Sequence, residues 1–165
     1  MKINKKGGQL KVQLNASTES ITADRLHLTN IINNLLDNAL KYCDKQPEIT
    51  LATHEHGGRI YLSIQDNGIG ISKQHHKKVF NKFYRVPTGN VHDVKGFGLG
   101  LFYIKRICQA HRWKLFLDST PGESTVITIG IPIKKERSGF FSFFPFFKTA
   151  RSYDCLLYTS PSPRD

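Results

Sequence analysis

Apolar and polar residues alternate with a period of two over Gln9-Leu-Lys-Val-Gln-Leu14, which predicts a β-strand. The period then lengthens. From about Asp24 to Cys43, the residues Leu28, Ile32, Leu35, Leu36, Ala39 and Leu40 form the apolar stripe of an amphipathic helix, with Thr22 or Asp24 as its N-cap. Alternation returns at Ile49, Leu51 and Thr53, breaks at Gly57-Gly58 and resumes at Ile60, Leu62 and Ile64, the pattern of a β-hairpin. Ser72 is positioned to cap a short helix through about Phe80. Residues 85–96 hold Pro87, Gly89, Asn90 and Gly96 without apolar periodicity and read as a mobile loop. A second long helix is expected from Gly98 or Leu99 to about His111, burying Leu101, Ile104 and Cys108. Trp113-Lys-Leu-Phe-Leu117 and the segment from Ser124 to Ile133 read as strands on either side of a Pro121-Gly122 turn. This order predicts an α/β chain, a mixed sheet with helices on one face. No internal repeat is present.

The first helix carries an unusual polar load. Asn30, Asn33, Asn34 and Asn38 all fall within it, although asparagine is a poor helix former whose amide competes for the backbone. Asn34, Asn38 and Lys41 stand at i, i+4 and i+7, on one face beside the apolar stripe. Two readings fit such a stripe. One is a binding surface ending in a cation. The other is a solvated face with Asp37 and Lys41 as an ordinary i, i+4 pair.

Composition narrows the classes. A chain of 165 residues suffices for one domain with a real core. No stretch approaches the roughly 20 apolar residues of a membrane span. Lys2, Lys5 and Lys6 lead into no apolar segment, so no signal peptide is expected. Cys43, Cys108 and Cys155 are widely spaced, which fits a reducing cytosol and no metal site. The formal net charge is +11, and its excess is local. Residues 73–106 hold Lys73, Lys77, Lys78, Lys82, Arg85, Lys95, Lys105 and Arg106 against Asp93 alone. Such a zone attracts anions. Nucleic acid is not expected, because no recognition helix or RNA-binding signature accompanies it and its glycine boxes suit phosphate better.

The residues after Ile133 differ from the rest. Phe140-Phe-Ser-Phe-Phe-Pro-Phe-Phe147 has basic flanks and reads as an unstructured extension, with a shallow membrane anchor as the alternative. Residues 155–165 resemble translated sequencing-adapter ends and are expected to be non-native. The domain is therefore expected over residues 1–133 and a tail over 134–165.

Two glycine clusters carry candidate chemistry. Asp66-Asn67-Gly68-Ile69-Gly70 follows the second hairpin arm. A carboxylate fixed at a strand end can accept a hydrogen bond from an exocyclic amine, and Gly68 and Gly70 let backbone approach a flat ring. Taken alone, the segment also fits a plain turn. Gly96-Phe97-Gly98-Leu99-Gly100-Leu101 opens the second helix, whose free N–H groups and dipole attract phosphate. It is neither a Rossmann fingerprint nor a Gly-x-x-x-x-Gly-Lys-Ser/Thr loop, and the protein-kinase His-Arg-Asp and Asp-Phe-Gly elements are missing.

The set in its order resembles one family. Asn34–Tyr42, Asp66–Gly70, Phe80-Asn-Lys-Phe-Tyr-Arg85 and Gly96–Leu101 look like the N box, first glycine box, F box and second glycine box of sensor histidine kinases. Thr120-Pro-Gly-Glu-Ser-Thr125 resembles the third glycine box, and the likeness spans about residues 9–133. It implies the Bergerat ATP-binding fold, a two-layer α/β sandwich with a mixed, mostly antiparallel sheet. It implies ATP and Mg²⁺, with Asn38 as the metal ligand, Asn34 at the phosphates, Lys41 contacting them and Tyr42 near the nucleotide. It implies Asp66 on the adenine amine with Gly68 and Gly70 beneath the ring, residues 86–95 as the ATP lid, and Arg85 toward the γ-phosphate. Gly96, Gly98 and Gly100 would hinge the lid, with Leu99 and Leu101 beside the nucleotide.

The same resemblance bears on reaction type. ATP-hydrolysing relatives carry a Glu four residues before the metal Asn, where this chain has Asn34, which cannot take a proton. Water needs a base before attacking phosphorus, whereas a neutral imidazole already offers a lone pair. Transfer to histidine is therefore expected rather than hydrolysis. None of His27, His54, His56, His75, His76, His92 and His111 combines a following acidic residue with a downstream Pro in the manner of a phosphoacceptor helix, and most read as exposed and uninvolved. The acceptor helices are expected upstream, in a dimeric parent anchored in the bacterial inner membrane with this domain in the cytoplasm, acting on a response regulator. A silent nucleotide-binding module and an anti-sigma-type serine kinase of the same fold are the alternatives. Two departures stand out. Arg112 occupies a helix-end position commonly Gly, where a left-handed residue costs about 1 kcal/mol, and the third glycine box is one glycine short, which bears on Ser124 and Thr125.

Overall fold

In the computed structural model of the chain, residues 3, 6–18, 20–87 and 96–133 are described. Residues 88–95 of the expected lid, including His92, and the tail from 134 lie outside them, with the Phe-rich run, Cys155 and the end 155–165.

Five strands form one sheet: β1 (Gln9–Leu14), β2 (Glu48–His56), β3 (Arg59–Asp66), β4 (Lys114–Thr120) and β5 (Ser124–Pro132), in the order β1-β2-β3-β5-β4. Only β1 and β2 pair in parallel; the other neighbours are antiparallel. Parallel neighbours need a crossover, and the helix α1 (Arg25–Lys41) supplies it. The second helix, α2 (Gly100–Ala110), precedes β4. The mixed, mostly antiparallel sheet with helices agrees with the fold expected from the sequence.

Asp24 caps α1, its carboxylate accepting from the His27 N–H at 2.9 Å. That bond holds the Asp24 carboxyl below its ordinary value. Thr22 therefore does not cap the helix. At the other end the Lys6 Nζ donates to the Leu40 carbonyl at 2.8 Å. The buried face of α1 is Leu28, Ile31, Ile32, Leu35, Ala39 and Leu40; Leu36 is half-buried and Ile31 takes its place in the core. Those side chains pack with Ile49, Leu62, Ile64, Ile104, Cys108, Ile127, Ile129 and Ile131 between helices and sheet. Burial pushes the Cys108 thiol up to about 11, so it stays an inert, protonated core group.

Two elements differ from the sequence reading. The segment after Ser72 is not one short helix but two 3₁₀ turns, Lys73–His75 and Lys78–Phe80, and the Ser72 side chain caps neither. One turn at a time suits this stretch, because only Val79 within it is buried and no apolar face sustains a longer helix. At the end of α2, Arg112 does adopt the left-handed conformation, with φ +56°. The Trp113 N–H bonds to the Cys108 carbonyl at 2.8 Å and the Arg112 N–H to that of Gln109 at 3.2 Å, the two bonds of a Schellman cap.

Candidate functional site

The asparagine face of α1 turns into a cavity of about 310 Å³, which Asn34, Asp37, Asn38, Lys41 and Tyr42 border. The Asn34 side-chain amide donates to the Asn30 carbonyl one turn back, at 2.8 Å. This bond uses one amide N–H and leaves the Oδ1 for the cavity side, where it faces Gly100. Lys41 is exposed in the last turn of α1, with its Nζ beside Gly96. The solvated-face reading of the stripe is thus replaced by a cavity wall.

The opposite wall comes from the sheet. The register pairs Asp66 with Thr125 and Ile64 with Ile127, and these four residues line the cavity together. Burial pushes the Asp66 carboxyl above its ordinary value, against the pull of the backbone N–H groups of Gly68 and Thr125. The Gly68 N–H donates to Asp66 Oδ1 at 2.9 Å, fixing the carboxylate. Gly68 itself does not border the cavity; a β-carbon there would lie 2.5 Å from the Tyr42 carbonyl, so it lets this loop pass the end of α1. Gly70 lines the cavity in a left-handed conformation, φ +65°, where any side chain would collide with the Thr120 carbonyl.

Neighbouring residues hold the loop. The Asn67 Oδ1 accepts from the Glu48 N–H at 2.9 Å and its Nδ2 donates to the Gln46 carbonyl at 3.0 Å. Buried Ser119 accepts from the Ile71 N–H at 2.8 Å, donates to the Ser124 carbonyl at 2.7 Å and meets the Thr125 Oγ1 at 3.0 Å. The loop after β3, the β4–β5 turn and Thr125 are thereby one bonded unit. Sequence reasoning missed Asn67 and Ser119 as site supports, since each acts through partners remote in sequence. It also missed the apolar floor of Leu35, Ile64, Ile69, Ile71, Val79 and Ile127, whose only signal is ordinary core periodicity.

The third wall is the segment that leads into α2. Gly96, Gly98, Leu99, Gly100 and Leu101 all border the cavity, as do Tyr84 and Arg85 from the preceding segment. Leu99 stands at the N-cap of α2, and its side chain makes no capping bond to the first N–H groups, the kind of helix start that suits an anion. Gly98, at φ +68°, abuts the Tyr84 carbonyl, and its own carbonyl accepts from the Phe83 N–H at 3.1 Å.

The cavity is therefore apolar where Asp66 projects and polar where α1 meets α2, the division that a flat base with a polyphosphate requires. The donor set also fits magnesium, a hard cation held by one or two protein oxygens and otherwise by phosphate and water. Amide oxygens of Asn34 and Asn38 are of that kind. No cluster of three His, Cys, Asp or Glu that could hold a metal exists among the described residues.

The histidines are less idle than expected. His27 Nδ1 bonds the Tyr103 hydroxyl at 2.8 Å, His75 Nδ1 the Tyr84 hydroxyl at 2.6 Å, and His76 Nε2 the Ile71 carbonyl at 2.9 Å. All three are half-buried, whereas His54, His56 and His111 are exposed.

Known proteins share the sequence and the fold of this chain. Residues 23–135 match the family described as histidine kinase-, DNA gyrase B- and HSP90-like ATPase. Sensor protein RprX of Bacteroides fragilis is 47% identical over 139 residues, 82% of this chain and 26% of RprX. Sensor histidine kinase WalK of Bacillus subtilis is 36% identical over 119 residues, 71% of this chain and 20% of WalK. The chain thus spans about a quarter of the length of RprX and a fifth of that of WalK. Among solved structures, the catalytic domain of histidine kinase ThkA superposes with a TM-score of 0.68 at 22% identity, covering 79% of this chain and 84% of that one. The same ThkA in complex with response regulator protein TrrA gives a TM-score of 0.64 at 20% identity, covering 81% of this chain and 36% of that one. Among the described residues no helix is long and apolar enough to cross a membrane.

Proposed function

This chain belongs to the histidine kinase-, DNA gyrase B- and HSP90-like ATPase family, and on that footing we propose that it is the ATP-binding catalytic domain of a two-component sensor histidine kinase. One observation carries the reading. A single cavity has Asn34, Asn38 and Lys41 at the open N-terminus of α2 and Asp66 over an apolar floor at its far side.

Adenine lies in the apolar part, its exocyclic amine donating to the Asp66 carboxylate, with Gly70 letting the strand-end loop close beneath it. Tyr42 flanks the base. The triphosphate runs toward α2, where the backbone N–H groups around Gly98, Leu99, Gly100 and Leu101 meet it. Lys41 and Arg85 offset its charge, Arg85 at the γ-phosphate. Gly96 ends the lid beside Lys41, and Gly68 supports the carboxylate from behind. Asn38 supplies the protein oxygen for Mg²⁺, with Asn34 at the phosphates next to it; the ion, when bound, neutralises charge developing on the phosphate oxygens.

The γ-phosphoryl passes to a histidine of a separate dimerisation and phosphoacceptor domain and onward to a response regulator receiver. That imidazole attacks with its own lone pair, so the site needs positioning and charge stabilisation rather than a base, which suits the amide at Asn34. The RprX, WalK and ThkA likenesses support this class. The parent is then a homodimer in the bacterial inner membrane, with this domain in the cytoplasm and residues 134–165 outside it.

Mg²⁺-dependent binding of ATP to the isolated chain tests the reading. Wild type should bind, and Asn38→Ala and Asp66→Ala should each lose at least tenfold in affinity, on the scale of one charge-assisted contact. Binding that neither substitution affects, or its absence in the wild type, would sink the proposal. Steady ATP hydrolysis lost in Asn38→Ala would overturn the transfer reading while keeping the nucleotide site.

A further inference from the structure

His75 lies outside the cavity, in the first 3₁₀ turn after the Asp66 loop, yet it reaches a residue that borders it. Its Nδ1 stands 2.6 Å from the Tyr84 hydroxyl. The other ring nitrogen stands 3.3 Å from the Gln74 amide nitrogen, which can only donate. Both ring nitrogens are thus engaged, one on Tyr84 and one on Gln74.

Tyr84 is held at three points. Its side chain ends on His75, its N–H bonds the Asn81 carbonyl at 3.2 Å, and its carbonyl is pressed against Gly98. The preceding Phe83 is forced left-handed, φ +63°, a conformation costly for any residue with a β-carbon, and its N–H bonds Gly98. Such a backbone persists only where its surroundings over-determine it. The His75 bond is a side-chain anchor on this segment from the Asp66 side of the cavity. Arg85 follows directly.

We propose that His75 is a positioning residue for nucleotide discrimination. Through Tyr84 it fixes the main chain of Arg85, so that the cation meets the terminal phosphate of ATP. The inference rests on the nucleotide reading above and specifies how that site tells ATP from ADP. A ligand that lacks the γ-phosphate gains little from the anchor.

The test measures ATP and ADP affinity of the intact chain with Mg²⁺, for wild type, His75→Ala, His75→Asn and Tyr84→Phe, with thermal melting alongside. His75→Ala should lose about fivefold in ATP affinity, the scale of one hydrogen bond, and less than about twofold for ADP. His75→Asn, whose amide reaches the former Nδ1 position, should restore most of the ATP/ADP ratio. Tyr84→Phe should reproduce the His75→Ala ratio, and the double variant should be no worse than either single one. An unchanged ratio in Tyr84→Phe, or losses that simply add, would overturn the proposal, and Tyr84→Phe decides it even where His75→Ala unfolds. Equal losses for both nucleotides would mark His75 as merely structural and overturn it too. If wild type binds neither nucleotide, the ATP-site reading itself fails; if it binds and Asn38→Ala abolishes binding, a flat His75 result refutes this inference alone.

Discussion

A β-carbon on Gly100 would lie 3.0 Å from the Asn34 Oδ1. The first turn of α2 is thus pressed onto the asparagine face of α1, and the gap admits no further atom without displacing the amide. Gly100→Ala should set fold and site against each other. Alanine suits a helix better by up to about 1 kcal/mol, so the melting temperature should hold or rise. Nucleotide affinity should fall about tenfold as Asn34 is pushed aside, read by titration with a fluorescent ATP analogue.

Ser119 sits where three segments meet. Ser119→Ala removes the acceptor of the Ile71 N–H and the donor to the Ser124 carbonyl. Leaving such groups buried and unpaired costs about 1–3 kcal/mol. Urea denaturation should show that loss of stability, and affinity should weaken with it because the Gly70–Ile71 loop lines the cavity.

The Asp66 carboxyl is raised above 3.8 by burial. Between its ordinary and raised values the folded chain binds more protons than the unfolded one, so this group makes stability fall as pH rises through that window. The penalty is then carried at neutral pH. Asp66→Asn should therefore be at least as stable as wild type at pH 7, lose the advantage in acid, and bind ATP at least tenfold more weakly. Denaturation at several pH values together with ATP titration checks both halves. A variant less stable at neutral pH than in acid, relative to wild type, would contradict the assignment.

Arg112 occupies a left-handed C′ position with a complete Schellman cap around it. Arg112→Gly should stabilise the chain by about 1 kcal/mol, raising the melting temperature by about 4 °C, with ATP affinity unchanged. This residue is at the end of α2 away from the cavity.

These relationships differ in how far the sequence discloses them. The period-two and period-3.6 segments mark all five strands and both helices, because each element buries one face against a single core. The asparagine stripe and the two glycine clusters are local patterns, and they line one cavity because α1 and α2 converge on it. What stays hidden depends on register. Nothing near Ser119 announces that Ile71 will lie against it, and Asn67 reads as a turn residue until the loop before β2 is seen folded onto it. Gly68 illustrates the reverse: its motif suggests an approach to a ligand, while its α-carbon passes the Tyr42 carbonyl. The 3₁₀ turns escaped for another reason. Ser72 is a fair helix start, but the residues after it offer no apolar face to prolong one.

The centre of the sheet is assembled from distant halves of the chain. β3 ends at Asp66, and the strand beside it begins only at Ser124. Until β5 has been synthesised, the carboxylate that would read adenine belongs to an unsupported sheet border, while Asn34, Asn38 and Lys41 are already out of the ribosome. A nascent chain cut short of residue 124 would thus own the whole asparagine face of α1 and still lack one wall of the cavity. ATP-agarose capture by ribosome-arrested chains should appear only once β5 has emerged, which makes nucleotide retention a readout of the last strand's arrival.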